Sequence, residues 1–300
     1  MIETKNPDQN QLSCSLNGIT VINLGINLPG PLAASRFARM GAQVIKVEPP
    51  GGDPFARICP VWYKTLLRDQ KVIQLDLKDR LQRAQLDELL GGCDLLITAS
   101  RPAALERLGL AWPALHAQYP RLCQVAMFGY PAPGEDRPGH DLLYQASAGL
   151  VTPPNLPLTL LADVAGAERV VTGGLALLLS RQRGNGGAYA RVSLFEAAEV
   201  FALPSRYGLT NRGGLLGGGF PGYNLYQTKQ GWIAVAALEA HFWERLVAEM
   251  GLDMLEIQRQ SLADLFLDQT AEYWEAWASQ LDLPIIKVRG HARNPFYDDA

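Results

Sequence analysis

Short runs of β-branched and aliphatic residues alternate with amphipathic helical patterns over the first two thirds of the chain. The segments between the runs, such as PLAASRFARMG and residues 80–90, predict helices. Strands that alternate with helices are typical of a parallel sheet covered on both faces. Such a sheet carries its chemistry on the loops at the carboxyl ends of its strands. The predicted strands are GITVINLG, QVIKVE, KVIQLDL, CDLLIT and LCQVAMFG.

The pattern changes after a long helix predicted over residues 165–183 and a strand that leads into a further helix. Residues 198–221 are rich in glycine and predict a linker. Beyond them, YNLYQTK and WIAVAAL flank a turn typical of a β-hairpin, and EAHFWERLVAEMGL has a helical period. We therefore expect an α/β protein with a large domain over residues 1–197 and a small α+β domain over 222–290.

Composition and charge exclude several classes of protein. The chain has 300 residues, of which 48% are hydrophobic, so a disordered chain is excluded. Its 27 basic and 30 acidic residues give a formal net charge of −3, which argues against nucleic acid as a partner. The most apolar stretch, residues 170–179, is far shorter than the roughly 20 residues that span a membrane. We expect a soluble cytoplasmic protein without a membrane partner.

The usual cofactor signatures are missing from the sequence. The first connection between a strand and a helix reads GINLPGP, which is neither a GxGxxG motif nor a P-loop. A dinucleotide-dependent dehydrogenase is therefore a weak alternative. The four histidines are scattered and the four cysteines lie too far apart for a CxxC motif, so we predict no metal site.

Three titratable residues stand where chemistry is expected, although each also has a structural interpretation. His140 and Asp141 follow a Pro-Gly turn, and a lone histidine there is often a core or capping residue. Asp163 comes just before the predicted long helix, where aspartate is a favoured N-cap. Glu239 stands at a strand–helix junction, where it fits a first-turn helix acid. Taken singly, none of them decides the function.

Six longer motifs accompany these residues along the chain. They are PGPLAASRFARMGAQVIKVEPPGGD, LDLK, DLLITASRPAALERLGL, PGHDLLYQASAGL, LLADVAG and YNLYQTKQGWIAVAALEAHFWERL. With these motifs the chain resembles the CoA-transferase family III, also called CaiB/BaiF, and most closely its α-methylacyl-CoA racemase-like members. The resemblance runs from about residue 18 to residue 288, and it implies the fold of that family, with a Rossmann-like large domain.

The resemblance implies a coenzyme A thioester as the substrate and no covalently bound cofactor. Arg101 and Arg107 are expected to meet the phosphates of coenzyme A with charge-assisted hydrogen bonds, although a solvated helix face is the alternative for both. The residues implied along the coenzyme A path are Leu75, Asp76, Leu77, Lys78, Ala99, Ser100, Arg101, Arg107, Gly139, Asp141 and Tyr144.

Two reactions are known for this fold, and the resemblance implies a role for the same aspartate in both. In racemases the residues matching Asp163 and His140 exchange protons on opposite faces of the α-carbon, and the residue matching Glu239 orients the histidine. In transferases the residue matching Asp163 attacks the acyl carbonyl. The presence of all three residues favours a racemase. The glycine-rich segment 214–222 resembles a loop of transferases, and a degenerate CoA-binding protein is the third alternative.

The resemblance also implies a homodimer whose two protomers interlock. Relatives continue past the segment matching LDLPIIKV, and their tail returns to the large domain. We interpret residues 291–300 as a shortened return segment, which puts the closure of the interlocked ring in question.

Overall fold

The computed structural model describes residues 14–254 and 258–290. The chain divides into two compact units between Ala202 and Leu203. The predicted boundary at residue 197 lies five residues earlier, inside a helix over Leu194–Arg206. The predicted linker over 198–221 therefore begins in helical structure, because an apolar helical pattern continues through Pro204. The predicted return segment 291–300 lies outside the described residues.

The first unit is built on a six-stranded parallel sheet with the order β3-β2-β1-β4-β5-β6. This order reverses direction between β1 and β4, as in the Rossmann fold, so the loops after these two strands open a crevice at the carboxyl edge. The expectation of an α/β, Rossmann-like unit is confirmed. The strands are β1 (Thr20–Asn23), β2 (Gln43–Glu48), β3 (Gln70–Gln74), β4 (Leu95–Thr98), β5 (Cys123–Phe128) and β6 (Tyr189–Ser193).

Helices cover both faces of this sheet. Their starts follow local chemistry in several cases: α1, α3, α5 and α6 carry proline in the first two positions, and Asp79 caps α4 by accepting from two backbone N–H groups. The helices are α1 (Pro29–Arg39), α2 (Phe55–Ile58), α3 (Pro60–Leu66), α4 (Arg80–Gly91), α5 (Pro102–Arg107), α6 (Trp112–Gln118), α7 (Asp141–Ala148), α8 (Leu161–Gln182) and α9 (Leu194–Arg206).

The core of the first unit lies in two layers, one on each face of the sheet. Every residue of β4 and β5 is buried, as expected for central strands of a parallel sheet, and both strands are mostly apolar. The polar Gln124 of β5 donates to the backbone oxygen of Leu110 at 3.1 Å. One layer packs Phe37 and Val170 against the sheet, and the other packs Leu86 and Leu115 against the opposite face. The sheet is thereby held between helices on both sides.

Helix α8 has 22 residues and runs close to the sheet. Gly174 permits that approach, because a Cβ there would lie 2.8 Å from the side chain of Leu95 on β4 and 2.7 Å from the ring of Phe37 on α1. The helix also carries charged residues at Asp163, Glu168 and Arg169. Within the described residues, no helix is both long and apolar enough to cross a membrane.

The second unit contains a three-stranded antiparallel sheet with the order β7-β8-β9. Its core packs Tyr226, Phe266 and Trp274 with ring centroids 5.0 and 5.2 Å apart. The elements are β7 (Tyr223–Gln227), β8 (Trp232–Ala236), α10 (Ala240–Glu249), α11 (Arg259–Phe266), α12 (Ala271–Gln280) and β9 (Ile285–Lys287).

Candidate active site

Two adjoining cavities open at the carboxyl edge of the parallel sheet, and both are formed within the first unit. They share Ile26, Ala99 and Ser100 as wall residues. The larger, which we call the polar cavity, has a volume of about 400 Å³. The smaller, which we call the apolar cavity, has a volume of about 270 Å³ and is walled largely by leucine, proline and valine. The polar cavity is lined by residues 26, 27, 29, 99–101, 127–129, 135, 137–140, 144, 163 and 194.

The structure brings most of the predicted site residues to these two cavities. Arg107, Asp141 and Glu239 are outside both linings. The predicted residues at the apolar cavity are Leu75, Asp76, Leu77, Lys78, Ala99 and Ser100. Those at the polar cavity are Ala99, Ser100, Arg101, Gly139, His140, Tyr144 and Asp163.

Asp163 reaches the polar cavity from the first turn of α8. The sequence predicts the start of this helix at residue 165, with Asp163 in front of it as an N-cap. That prediction is wrong, since the helix begins at Leu161 and Asp163 is its third residue. Its own side chain therefore cannot cap the helix. The side chain is free to face the cavity instead.

Asp141 supplies the missing cap from outside the helix. Its Oδ1 accepts a hydrogen bond from the backbone N–H of Asp163 at 3.0 Å, and its Oδ2 accepts one from Nε2 of Gln145. Gln145 also donates to the backbone oxygen of Thr159 at 2.9 Å. Asp141 is only 5% exposed. The residue expected to contact coenzyme A thus fixes the position of Asp163.

The environment of Asp163 raises its pKa to about 7. Burial of the carboxyl group is the larger cause, because it disfavours the charged form, and the negative charge of Asp141 adds to it. Near neutral pH the group is therefore present in both protonation states. A carboxylic acid of this kind can donate a proton, and its carboxylate can accept one.

Tyr144 forms part of the cavity wall beside Asp163. Burial, followed by the nearby charge of Asp163, raises the pKa of its phenol to about 12, so the hydroxyl group stays protonated. A Cβ at Gly129 or at Gly139 would overlap atoms of the Tyr144 side chain. Gly139, expected as a ligand contact, therefore has a second role in admitting this ring.

His140 immediately precedes α7 in an extended conformation with φ −139° and ψ 166°. Its side chain is exposed and lines the polar cavity. Because successive side chains of an extended backbone point in opposite directions, His140 faces the cavity while Asp141 is buried. Arg107 ends α5 and is exposed. Glu239 belongs to the second unit, where it is exposed and immediately precedes α10.

A buried ion pair holds the loop that forms one wall of the polar cavity, and sequence reasoning missed its role. Nζ of Lys46 lies 3.0 Å from Oδ2 of Asp53, and both side chains are fully buried. Nζ of Lys46 also donates to the backbone oxygen of Gly25 at 2.6 Å. Oδ1 of Asp53 accepts from the backbone N–H of Asn27 at 2.9 Å. Burial lowers the pKa of Lys46, while the charge of Asp53 opposes this shift. The available signal was a lysine among the valine and isoleucine residues of the strand QVIKVE.

Comparison with known proteins decides the family. The family profile described as CoA-transferase family III matches residues 16–293. The chain belongs to CoA-transferase family III. The members of this family act on CoA thioesters, which agrees with a site at the carboxyl edge of the sheet.

The family III relatives of this chain include a CoA-transferase and a racemase. Succinyl-CoA–D-citramalate CoA-transferase from Chloroflexus aurantiacus is 31% identical over 79% of this chain, and the match spans 65% of that protein. Human alpha-methylacyl-CoA racemase is 29% identical over 87% of this chain and 74% of the human protein.

A third family III relative has a solved structure. It is a probable fatty acyl-CoA transferase from Mycobacterium tuberculosis, 28% identical over 88% of this chain and 77% of that protein. A crystal structure of the same M. tuberculosis protein aligns with a TM-score of 0.81 at 26% identity, covering 94% of this chain and 87% of that chain. The likeness extends over both units of the chain.

Proposed function

We propose that this chain racemises a 2-methylacyl-CoA by a two-base mechanism, in which one of Asp163 and His140 removes the α-proton and the other delivers a proton to the opposite face of the α-carbon. The observation that carries the proposal is that these two acid–base groups line a single cavity at the carboxyl edge of the sheet. The two side chains come from different elements, one from the first turn of α8 and the other from the residue before α7. A substrate between them would expose each face of its α-carbon to one group.

The proton transfers balance over a complete cycle. Neutral His140 removes the α-proton from one face and leaves a planar enolate, and protonated Asp163 delivers its proton to the other face. The products are the opposite enantiomer, an imidazolium at His140 and a carboxylate at Asp163. His140 then releases its proton to water and Asp163 takes one up from water, which resets both groups for the next turnover; reaction of the opposite enantiomer resets them as well. The pKa of Asp163 near 7 supports this role, because proton transfer is most efficient when the catalyst titrates near the working pH.

We assign the coenzyme A path to the residues that line the two cavities. The apolar wall at Leu75 and Leu77 offers a surface for the uncharged parts of coenzyme A, and Lys78 lies beside it. Arg101 and the exposed Arg107 lie before the start and at the end of the short helix α5, and each guanidinium group offers hydrogen bonds to a phosphate of coenzyme A. The thioester would then enter the polar cavity past Ala99 and Ser100.

The reaction is tested by incubating a 2-methylacyl-CoA of one configuration in deuterated water. We expect racemisation together with incorporation of deuterium at the α-carbon. Asp163→Asn and His140→Ala should each lower the rate by at least about a hundredfold. Glu106→Gln is the matched control, because this exposed side chain on α5 lies outside both cavities. Normal racemisation by either site variant would contradict the assignment.

CoA transfer is the second candidate, favoured by the similarity to two proteins named as CoA-transferases. Here ionised Asp163 attacks the thioester carbonyl, the CoA thiolate leaves, and a mixed anhydride forms. The thiolate then attacks the carbonyl carbon of Asp163, which releases the acyl group as a carboxylate. The glycine-rich segment of the second unit, with a tight turn over Leu215–Gly219, supports this alternative. Absence of deuterium, with an adduct on Asp163 trapped by hydroxylamine, would favour transfer.

We further propose that the enzyme works as a homodimer and that Glu239 orients His140 in the assembled site. A carboxylate beside the imidazole would stabilise its protonated form. Glu239→Gln should then slow racemisation while leaving the Kd of the acyl-CoA unchanged. Light scattering at micromolar concentration should give twice the monomer mass. A monomer that is fully active would overturn the assembly proposal.

A further inference from the structure

Arg137 projects into the polar cavity from a turn over residues 131–137. Its backbone N–H donates to the oxygen of Gly134 at 3.0 Å, which fixes the base of the side chain. Cζ of the guanidinium lies 4.6 Å from the centroid of the Tyr130 ring. A guanidinium stacked on an aromatic ring keeps its N–H groups pointing outward in its own plane, where they can form a bidentate pair with an anion.

The positive charge of Arg137 is not neutralised by the neighbouring acids. Glu135, which also lines the polar cavity, is instead paired with Arg191. Cζ of Arg191 in turn lies 5.3 Å from the centroid of the Phe128 ring. In the part of the chain that the structure describes, no carboxylate, including that of adjacent Asp136, lies within 4.0 Å of the Arg137 guanidinium. A charge-assisted bond to a bound anion therefore needs no protein pair to be broken.

Arg137 lines the same cavity as the reacting groups His140 and Asp163. Tyr130, which carries the guanidinium, meets Tyr144 edge-on, with ring centroids 5.1 Å apart, and Tyr144 also lines the polar cavity. An anion on Arg137 would therefore lie in the cavity that the acyl group occupies.

We propose that Arg137 binds a carboxylate at the far end of the acyl group, so that the substrate class is a 2-methylacyl-CoA that ends in a second carboxyl group. The choice of the acyl group rests on the proposed function, since it takes the α-carbon to lie between Asp163 and His140. The pairing of Arg137 with an anion rests on the cavity alone. A planar guanidinium held on a ring matches the two oxygens of a carboxylate.

The test compares two acyl-CoA thioesters that differ only at the far end. In 2-methylglutaryl-CoA that end is a carboxylate, and in 2,5-dimethylhexanoyl-CoA it is an uncharged isopropyl group of similar size. Titration calorimetry gives Kd for both thioesters and for coenzyme A itself, and it needs no turnover. The wild type should bind the carboxylate form at least about tenfold more tightly, and Arg137→Gln should abolish that preference. Arg137→Lys should restore part of it, because it keeps the charge and loses the planar fork.

Arg80→Gln is the matched control, since this exposed arginine lies at the start of α4 and outside both cavities. It should leave the ratio of the two Kd values unchanged. Equal weakening of both thioesters and of coenzyme A by Arg137→Gln would show that the anion is a phosphate of coenzyme A, which overturns the proposal. An unchanged ratio in that variant overturns it as well.

The result is separable from that of the proposed function. If the preference for 2-methylglutaryl-CoA depends on Arg137 but no deuterium enters the α-carbon, the carboxylate site is supported and the proposed racemisation is contradicted. If deuterium enters both thioesters and Arg137→Gln leaves the ratio of Kd values unchanged, racemisation is supported and the proposed carboxylate site is contradicted.

Discussion

The carboxylate of Asp141 accepts the backbone N–H of Asp163 at 3.0 Å across 22 positions of sequence. This single contact caps the long helix and fixes the residue that faces the polar cavity. It also places a negative charge near a second carboxyl group, which helps to raise the pKa of Asp163 to about 7. The two effects can be separated by substitution.

Asp141→Asn should lower the pKa of Asp163 while keeping α8 in place. The amide oxygen still accepts the N–H of Asp163, whereas the amide nitrogen no longer accepts from Gln145, and the negative charge that raises the pKa is lost. The pKa of Asp163 should remain above that of an ordinary aspartate, because burial is the larger cause of its shift. A titration of the carboxyl carbon of Asp163 by ¹³C NMR measures the midpoint directly.

Asp136→Asn provides the control, since it removes the same charge from an exposed site. Asp141→Ala should differ from Asp141→Asn by losing the cap, which lowers the free energy of unfolding by about 1–2 kcal/mol. An Asp163 midpoint that is the same in Asp141→Asn and in the wild type would refute the electrostatic argument.

Asp163→Asn should stabilise the protein at alkaline pH and have little effect on stability near pH 4. The folded pKa is raised from 3.8 to about 7, so the folded state binds the proton more tightly than the unfolded state does. The penalty of the ionised carboxylate is therefore absent below pH 3.8, grows between the two values and is complete above pH 7. The upper limit of this penalty in the free energy of unfolding is about 4 kcal/mol, since a shift of one pKa unit corresponds to about 1.4 kcal/mol.

Urea unfolding of the wild type and of Asp163→Asn at pH 4.5 and pH 8.5 checks this. The difference between the two proteins in the free energy of unfolding should be larger at the higher pH. A difference that does not change with pH would mean that Asp163 titrates normally.

Gly139→Ala should destabilise the polar cavity by forcing the Tyr144 ring out of position. A Cβ at Gly139 would overlap the ring, and overpacking of this kind costs about 1–3 kcal/mol. The matched control is Gly51→Ala, because a Cβ at Gly51 meets nothing within 4 Å. Thermal unfolding should show a lower Tm for the first variant and not for the second. Equal Tm values for both variants would mean that the ring moves freely.

Lys46→Met and Asp53→Asn should each destabilise the protein strongly, by about 3–5 kcal/mol for the loss of one partner of a buried pair. The double variant should cost clearly less than the two single losses added together, because no unpaired charge remains in it. Urea unfolding of the four proteins forms the double-mutant cycle. Strict additivity would show that the 3.0 Å contact between Nζ and Oδ2 contributes nothing.

The fold of the first unit was largely predictable because its signals are local. The strand QVIKVE matches β2 over Gln43–Glu48, and the helix predicted over 80–90 matches Arg80–Gly91, which begins after the N-cap Asp79. The start of α8 was missed by four residues, because its cap comes from Asp141 on another element. Local propensity carries no information about such a contact.

The candidate site was predictable only in part. The motifs named the residues that gather at the two cavities, but they did not reveal which side chains face inward. Asp141 follows His140 directly, and only the extended backbone at position 140 separates a cavity residue from a buried cap. The contact of Lys46 with Asp53 joins a strand to a loop and leaves no periodic signal in the sequence.

Residues 140 and 141 are neighbours in sequence but differ in what they contact. The carboxylate of Asp141 accepts the N–H of Asp163, whereas the side chain of His140 is exposed and lines the polar cavity. The side chain at position 140 can therefore be exchanged without removing the hydrogen bond that holds Asp163. The chemistry offered at the cavity wall can thus vary independently of the contact that holds the long helix.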